Sequence, residues 1–376
     1  MTSDLLAADL APDFGPTADP VELAWYGCDL KSGGIIEELP AVTPTQPLGR
    51  KLGTVTTGAA SLALAGAPRG WEEATTDGLC MLVAVDTATD TPVWPGIILT
   101  RAGGSADTVD LQMVTPEAYF DRRYTGDIAM VGQDQATVMA AVMASAFTDG
   151  PCFVLDSVAT GVQMGYSVAD SDDRTCLSAA QELMAMQGGP EMTVDVAWNT
   201  EHNGFVLPVR IRAAIGTQTQ TPEGTFDFPG AVSNYVLAES YEQGKGSNVI
   251  VARGEGEGTS RLSSSPYSAV DLIAAGWCRW TYRYTPAQGV TDPAQLNAHA
   301  ASSLALMRLG SQVWSLEATA SRAPRIGRDF VLGDSVRLAV EHSPRHPRGA
   351  DVVARCWSWQ LDPGADTITP ILVQED

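Results

Sequence analysis

The chain has 376 residues, 44% hydrophobic and only 18% charged, so it is too long for one hydrophobic core and too apolar to be disordered. Its 45 acidic and 23 basic residues give a net charge of −22, which argues against nucleic acid and anionic lipid as ligands, because their phosphates are bound mainly by Lys and Arg. No run approaches the ~18 apolar residues of a membrane span, and the acidic opening "MTSDLLAADLAPDFGPTADP" lacks the basic-then-apolar order of a secretory signal.

Residues 1–19 read as a flexible N-terminal arm. In "VELAWYGCDLKSGGIIEELPAV" the apolar residues around Trp25 and over 35–39 flank 31–34, which predicts a β-hairpin. "LCMLVAVD" and "VWPGIILTRAGGSADTVDLQMV" continue strand, turn and strand to about Val114. The texture changes near Pro116. "DQATVMAAVMASAF" sets Val138, Val142, Met143, Ala146 and Phe147 at helical spacing. "DDRTCLSAAQELMAMQGG" predicts a second helix, capped by Asp172 or Asp173, striped by Leu177, Ala180, Leu183 and Met184, and ended by Gly188 and Gly189. Two strands follow, over about 192–198 and 205–213, joined by "NTEHNG". Strands return over about 233–239 and 248–253. A third helix runs over 292–309, with Asp292 as cap, Pro293 at its first position, and Leu296, Ala300, Leu304 and Met307 on one face. From Trp314 to Val373 the pattern is again that of strands.

Segments that could carry chemistry read as structure instead. In "NVIVARGEGEG" a strand runs into a glycine turn, but Glu255 and Glu257 would repel a phosphate, and no helix opens after it. His342 and His346 are four apart, yet Pro344 and Pro347 forbid the helix that would align them as metal ligands. His202 lies in a polar turn and is expected to be solvated; His299 sits beside the stripe of the third helix. "DSDD" at 170–173 lacks the glycine and distal Glu of a calcium loop and reads as helix capping. No serine stands in a G-x-S-x-G elbow. Gly333-Asp334 precedes a strand and reads as a structural turn. No catalytic, cofactor-binding or metal-binding residue is therefore assigned, and no cofactor is expected.

Cys28, Cys80, Cys152, Cys176, Cys278 and Cys356 lie far apart without a C-x-x-C pair, so free buried thiols are expected, consistent with folding in a cytoplasm. The segments 79–114 and 335–373 share one order of strands and turns: "LVAVD" matches "RLAVE", and "RAGGSADTVDLQMV" matches "LDPGADTITPILV". Two similar barrels, one at each end, would produce this match; so would the common pattern of an all-β chain.

Five landmarks together resemble the minor tail proteins of long-tailed (siphovirus) phages of actinobacteria: "YGCDLKSGGIIEELP", "AQELMAMQGGPEMTVDVAW", "SNVIVARGEGEG", "VTDPAQLNAHAASSLA" and "FVLGDSVRLAV", in that order along the chain. That family is similar to the baseplate hubs of contractile-tailed phages. The resemblance implies a mainly β, α+β chain with two similar antiparallel β-barrel domains and two smaller α/β insert domains. It divides the chain into the arm 1–19, a first, tube-facing barrel 20–115, a helix-containing α+β domain 116–225, a discontinuous second barrel 226–245 and 311–376, and a small insert 246–310.

It also implies a non-enzymatic virion protein: a homotrimer at the tail tip, assembled in the host cytoplasm, that joins a six-fold tail tube to a three-fold tip and surrounds a channel for DNA ejection. The implied partners are the distal tail protein, the tail tube and tape-measure proteins, and a central fibre or other tail-tip proteins. DNA would pass the acidic wall without specific binding. Two other readings stay open. A carbohydrate-binding adhesin would cluster aromatic residues on one exposed face, for which Trp357 and Trp359 are the candidates; a cell-wall hydrolase would need a metal or nucleophile constellation.

Overall fold

The structure, a computed structural model, describes residues 20–186, 188–254, 261–285 and 293–374. The arm 1–19, the "GEGEG" turn beyond Gly254 and the Asp292 cap lie outside the described residues.

Short apolar runs cut by Gly, Asp and Pro make residues 20–114 fold mainly as strands. They form one antiparallel sheet in the order Ile35–Glu38, Leu23–Asp29, Cys80–Asp86, Thr91–Gly103, Thr108–Val114, Thr57–Ala63, Val42–Pro44. The two outermost strands are consecutive in sequence, with only residues 39–41 between them. The sheet must therefore curl until its edges meet at that corner. The predicted hairpin over 31–34 is present, its turn held by Asp29 Oδ1 accepting from the Ser32 N–H at 2.7 Å.

A second sheet repeats the plan, in the order Thr225–Phe228, Ser335–Val340, Ala350–Asp362, Thr367–Val373, Ser311–Thr319, Val232–Ser240. Its outermost strands are also consecutive, separated by residues 229–231. Five strands of each sheet correspond in chain order and in sheet order. In each, one 13-residue strand (Thr91–Gly103, Ala350–Asp362) carries a bulge, at 98–100 and at 356–358. The sequence match of "LVAVD" with "RLAVE" thus falls on equivalent strands. The sheets differ at one edge: the first adds the antiparallel strand Leu23–Asp29, whereas the second adds the parallel strand Thr225–Phe228.

The sheets are tied together by a crossover. Leu48–Lys51, within the segment assigned to the first barrel, pairs instead with the second sheet, Ser358 to Leu361 opposite Lys51 to Leu48. The first sheet's Trp94 reaches this strand, donating from Nε1 to the Gly49 carbonyl at 3.0 Å. One apolar core then runs through both sheets, from Trp25 and Trp94 to Trp314 and Trp359.

The middle domain covers the other face of the first sheet. In Cys80–Asp86, Leu82 and Ala84 face the shared core, while Met81, Val83 and Val85 face the middle domain. Burial on both faces explains why "LCMLVAVD" is continuously apolar instead of alternating. The domain itself pairs Phe205–Arg212 with Phe153–Ser157, Glu191–Val194 and Ala197–Trp198, and adds the ribbon Ile128–Asp134 with Gln163–Val168. Two of its helices, Gln135–Val142 and Cys176–Met184, pack apolar faces into its core. The second is capped by Thr175, whose Oγ1 accepts from the Ser178 N–H at 3.1 Å, and not by Asp172 or Asp173. The "DSDD" segment forms a single 3-10 turn ahead of it.

Asp134 caps the first of these helices and also anchors a loop. Its carboxylate accepts from the N–H groups of Ala136 (2.9 Å), Thr160 (3.1 Å) and Gly161 (2.8 Å). Burial works against this charge, but the three N–H groups outweigh it and hold the carboxyl below its ordinary value. A depressed folded-state pKa adds stability above the unfolded value near 3.9 and loses it as pH falls through the folded one. Asp134→Ala is expected to cost about 1 kcal/mol at pH 7. In urea titrations the gap from wild type should shrink as pH drops below about 4.

Between Val232–Ser240 and Ser311–Thr319 a small domain is inserted. It has three strands, Tyr267–Ser268, Val249–Ala252 and Thr281–Tyr284, under the helix Pro293–Met307. Ile250, Ala252, Leu296 and Ala300 form its core, with Leu304 and Met307 packed at the side.

Candidate functional site

The histidines lie in loops and on one helix. His342 and His346 lie in the loop between paired strands: His342 Nδ1 is 3.2 Å from the Pro347 carbonyl, and His346 Nδ1 is 2.7 Å from Tyr235 Oη. His202 is not merely solvated. It stacks on Trp198 at 4.0 Å and its Nε2 is 3.1 Å from Asp90 Oδ2, which pins the "NTEHNG" turn to the first sheet. His299 is half-buried on the helix of the small domain, and burial lowers its pKa. Among the described residues no three His, Cys, Asp or Glu are placed to hold a metal ion.

Chemistry is concentrated at the junctions between domains, where buried arginines act as clamps. Arg50, on the crossover strand, donates to Asp195 Oδ1 (2.6 Å), Thr193 Oγ1 (2.7 Å) and the Val194 carbonyl (2.5 Å) of the middle domain. Glu117 lies 3.7 Å away and accepts from the Val194 N–H at 3.2 Å. Burial pushes the Glu117 carboxyl up, offset in part by Arg50. Arg325 joins the second half of the chain to Asp86 of the first sheet, with 2.7 Å between Nη2 and Oδ1. Arg355 of the second sheet donates to Glu191 Oε1 at 2.6 Å and to the Ile215 carbonyl at 2.7 Å.

The Gly333-Asp334 turn belongs to this last junction. Asp334 Oδ1 accepts from the Thr217 N–H at 2.6 Å and Oδ2 from the Val331 N–H at 2.9 Å. The Gly333 carbonyl accepts from Arg355 Nε at 3.0 Å and from Gln218 Nε2 at 3.1 Å. Gly333 has φ +92° and faces Gly216, φ +80°, with no room for a side chain between the two backbones.

Trp357 and Trp359 do not form an exposed platform. The bulge at 356–358 turns Trp359 into the core, where it is 2% exposed, and Arg355 covers the Trp357 ring at 5.5 Å. The exposed tryptophans are Trp277 and Trp280 of the small domain, 41% and 55% exposed, and both contact Tyr241. A fully buried Asn248 orders their loop: its Nδ2 donates to the Cys278 carbonyl and its Oδ1 accepts from the Trp280 N–H, each at 2.8 Å. The run "GWCRWTYRY", with four aromatic residues and two arginines in nine positions, is the signal that marks this segment in the sequence.

The same loop corrects the expectation of buried thiols, because Cys278 is exposed. Burial pushes the thiols of Cys28, Cys80, Cys176 and Cys356 up, and that of Cys152 up to about 12. Alkylation of the native chain at pH 8 should therefore modify Cys278 first. Intact-mass measurement should show one adduct, with the other five appearing only in denaturant.

No family model matches the chain, and no curated protein matches it in sequence. Solved structures do match its fold. A tail protein from Neisseria meningitidis MC58 superposes with a TM-score of 0.58 at 13% identity, over 93% of this chain and 96% of that one. The 43 kDa tail protein of prophage MuSo2 from Shewanella oneidensis gives 0.58 at 12% identity, over 94% and 98%. The fold is that of phage and prophage tail proteins. Prophage tail protein gp18 from Listeria monocytogenes EGD-e gives 0.55 at 9% identity, over 94% of this chain and 95% of that one. A chain of the Francisella PdpA–VgrG complex gives 0.52 at 8% identity, over 94% of this chain and 52% of that one. The tail-protein matches run nearly end to end, so they cover both sheets and both smaller domains.

Proposed function

We propose that the chain is a structural virion protein of a phage tail, the hub that joins a six-fold tail tube to a three-fold tail tip and surrounds the channel for DNA ejection. The observation that carries this is the repeated topology: two five-strand units of the same order in one chain let three copies present six equivalent units to a six-fold partner. Its partners are then the tail tube, distal tail and tape-measure proteins on one side, and fibre or other tip proteins on the other. The acidity fits a conduit, since a negative wall leaves DNA hydrated and mobile where a basic one would bind it by counterion release.

The buried Arg50, Arg325 and Arg355 junctions suit a rigid adaptor, in which the sheets keep a fixed angle while a load passes through them. Native mass spectrometry of the purified chain, at rising concentration, tests the oligomer. The expected assembly is three copies; a stable dimer or a ring of six would overturn it.

A further inference from the structure

The two repeated units handle the same connection differently. In the first unit the segment between Val42–Pro44 and Thr57–Ala63 crosses to the second sheet, where Leu48–Lys51 lies along the far half of its 13-residue strand. In the second unit the equivalent segment, between Val232–Ser240 and Ser311–Thr319, holds the small domain. The far half of the first sheet's long strand, residues 99–103, has no strand on the corresponding side among the described residues. Among the described residues the 71–78 segment approaches it, through the Gly78 N–H to the Ile98 carbonyl and through Arg101 to the Glu72 carbonyl. Leu99 and Leu79 are left 47% and 52% exposed there, beside exposed Glu72, Glu73 and Asp77.

The small domain carries the complementary chemistry. Trp277, Trp280, Leu306 and Leu309 are exposed, and both tryptophans contact Tyr241, whose hydroxyl donates to the Arg308 carbonyl at 3.2 Å. Arg279 and Arg283 are exposed with no acidic partner among the described residues. Residues 241–310 hold six basic and five acidic residues, so the whole of the net charge of −22 comes from the rest of the chain. Residues 20–115 hold eleven acidic residues against five basic ones. A Trp- and Arg-rich apolar face is the usual composition of the centre of a protein interface.

We infer that the Trp277–Trp280 face of the small domain docks on a second copy of this chain, against residues 72–79 and 99–103 of its first sheet. Inside one chain, the connection of the first unit clasps the second unit; between copies, the connection of the second unit clasps the first. The contact is heterologous, one face meeting a different one, which is the kind that closes cyclic rings. It rests on the hub reading for its assumption that copies meet in a ring, and adds which surfaces meet.

Cys278 lies inside the proposed contact and is the exposed cysteine of the chain, so it serves as a native probe. Leu99→Cys supplies a partner thiol on the opposing face. With a short bis-maleimide, the assembled Leu99→Cys protein should give covalent dimers and trimers on a denaturing gel, and wild type should not. Cys278 should label several-fold more slowly in the assembly than in the dilute monomer. Trp277→Ser with Trp280→Ser, remote from every buried junction, should weaken association at least ~30-fold while the thermal midpoint of the monomer holds. Glu72→Arg with Glu73→Arg should weaken it too, and adding Arg279→Glu and Arg283→Glu should restore part of the loss. A three-copy assembly that forms without cross-links and with Cys278 freely labelled overturns this contact but leaves the hub reading intact. Protection of Cys278 only by another tail protein, or by a wall polysaccharide, overturns it as well. Absence of any three-copy assembly from purified chain and particles overturns the hub reading itself.

Discussion

Gly333→Ala is expected to be among the most damaging single substitutions in this chain, lowering stability by about 3 kcal/mol or more. Two effects add. At φ +92° an L side chain is strained, and its Cβ would be driven into the carbonyl of Ile215. That backbone cannot give way cheaply, because Arg355 holds the Ile215 and Gly333 carbonyls, and Asp334 fixes the adjoining Thr217 N–H. The substitution separates the middle domain from the second sheet where the chain passes between them. Urea denaturation followed by tryptophan fluorescence should show the loss as a lower midpoint. Wild-type behaviour would mean that the close Gly216–Gly333 crossing does not exist.

Arg50→Met is expected to cost about 3–5 kcal/mol, the range for breaking a buried ion pair from one side. Methionine can fill much of the arginine stem's volume, so packing alone explains little of such a loss. The cost arises chiefly because Glu117, 2% exposed at its side chain, would lose the guanidinium beside it, while Asp195, 20% exposed, would keep only Arg210, 3.0 Å away. The sign of the companion change follows. Glu117→Gln removes the charge whose burial is already penalised, so it should cost far less than Arg50→Met. Combining the two should recover part of the loss. A double variant as unstable as the sum of its parts would show that Glu117 is not part of the Arg50 cluster.

Much of the fold was legible because the repeated signals are long. "LVAVD" with "RLAVE", and the later turns that end in Ala106-Asp107 and Ala365-Asp366, mark equivalent strands because the same core requires the same alternation and similar turns. The helix over 293–307 was legible from its proline start and its apolar stripe. The crossover was not. "LGRK" is four residues long, too short to carry a period, and nothing local says which sheet a lone strand will join. The buried arginines were equally hidden, since an arginine reads as surface until its carboxylate partner, 145 residues away for Arg50 and Asp195, is brought beside it. In "DSDD" the run of acids drew attention from the neighbouring Thr175, which caps the helix because it stands directly before the first helical residue. Trp277 and Trp280 were visible as residues but not as a surface, because exposure depends on Asn248, some thirty positions earlier.

Image reconstruction of intact particles, without imposed symmetry at the tail end, tests the hub reading most directly. Three copies of this chain should be found around one channel at the tail tip, with their six sheet units facing the tail tube and the acidic side chains of residues 20–224 nearer the lumen than the periphery. Copies of this chain along the tube, in the capsid, or at the tip in two-fold or six-fold number would contradict it.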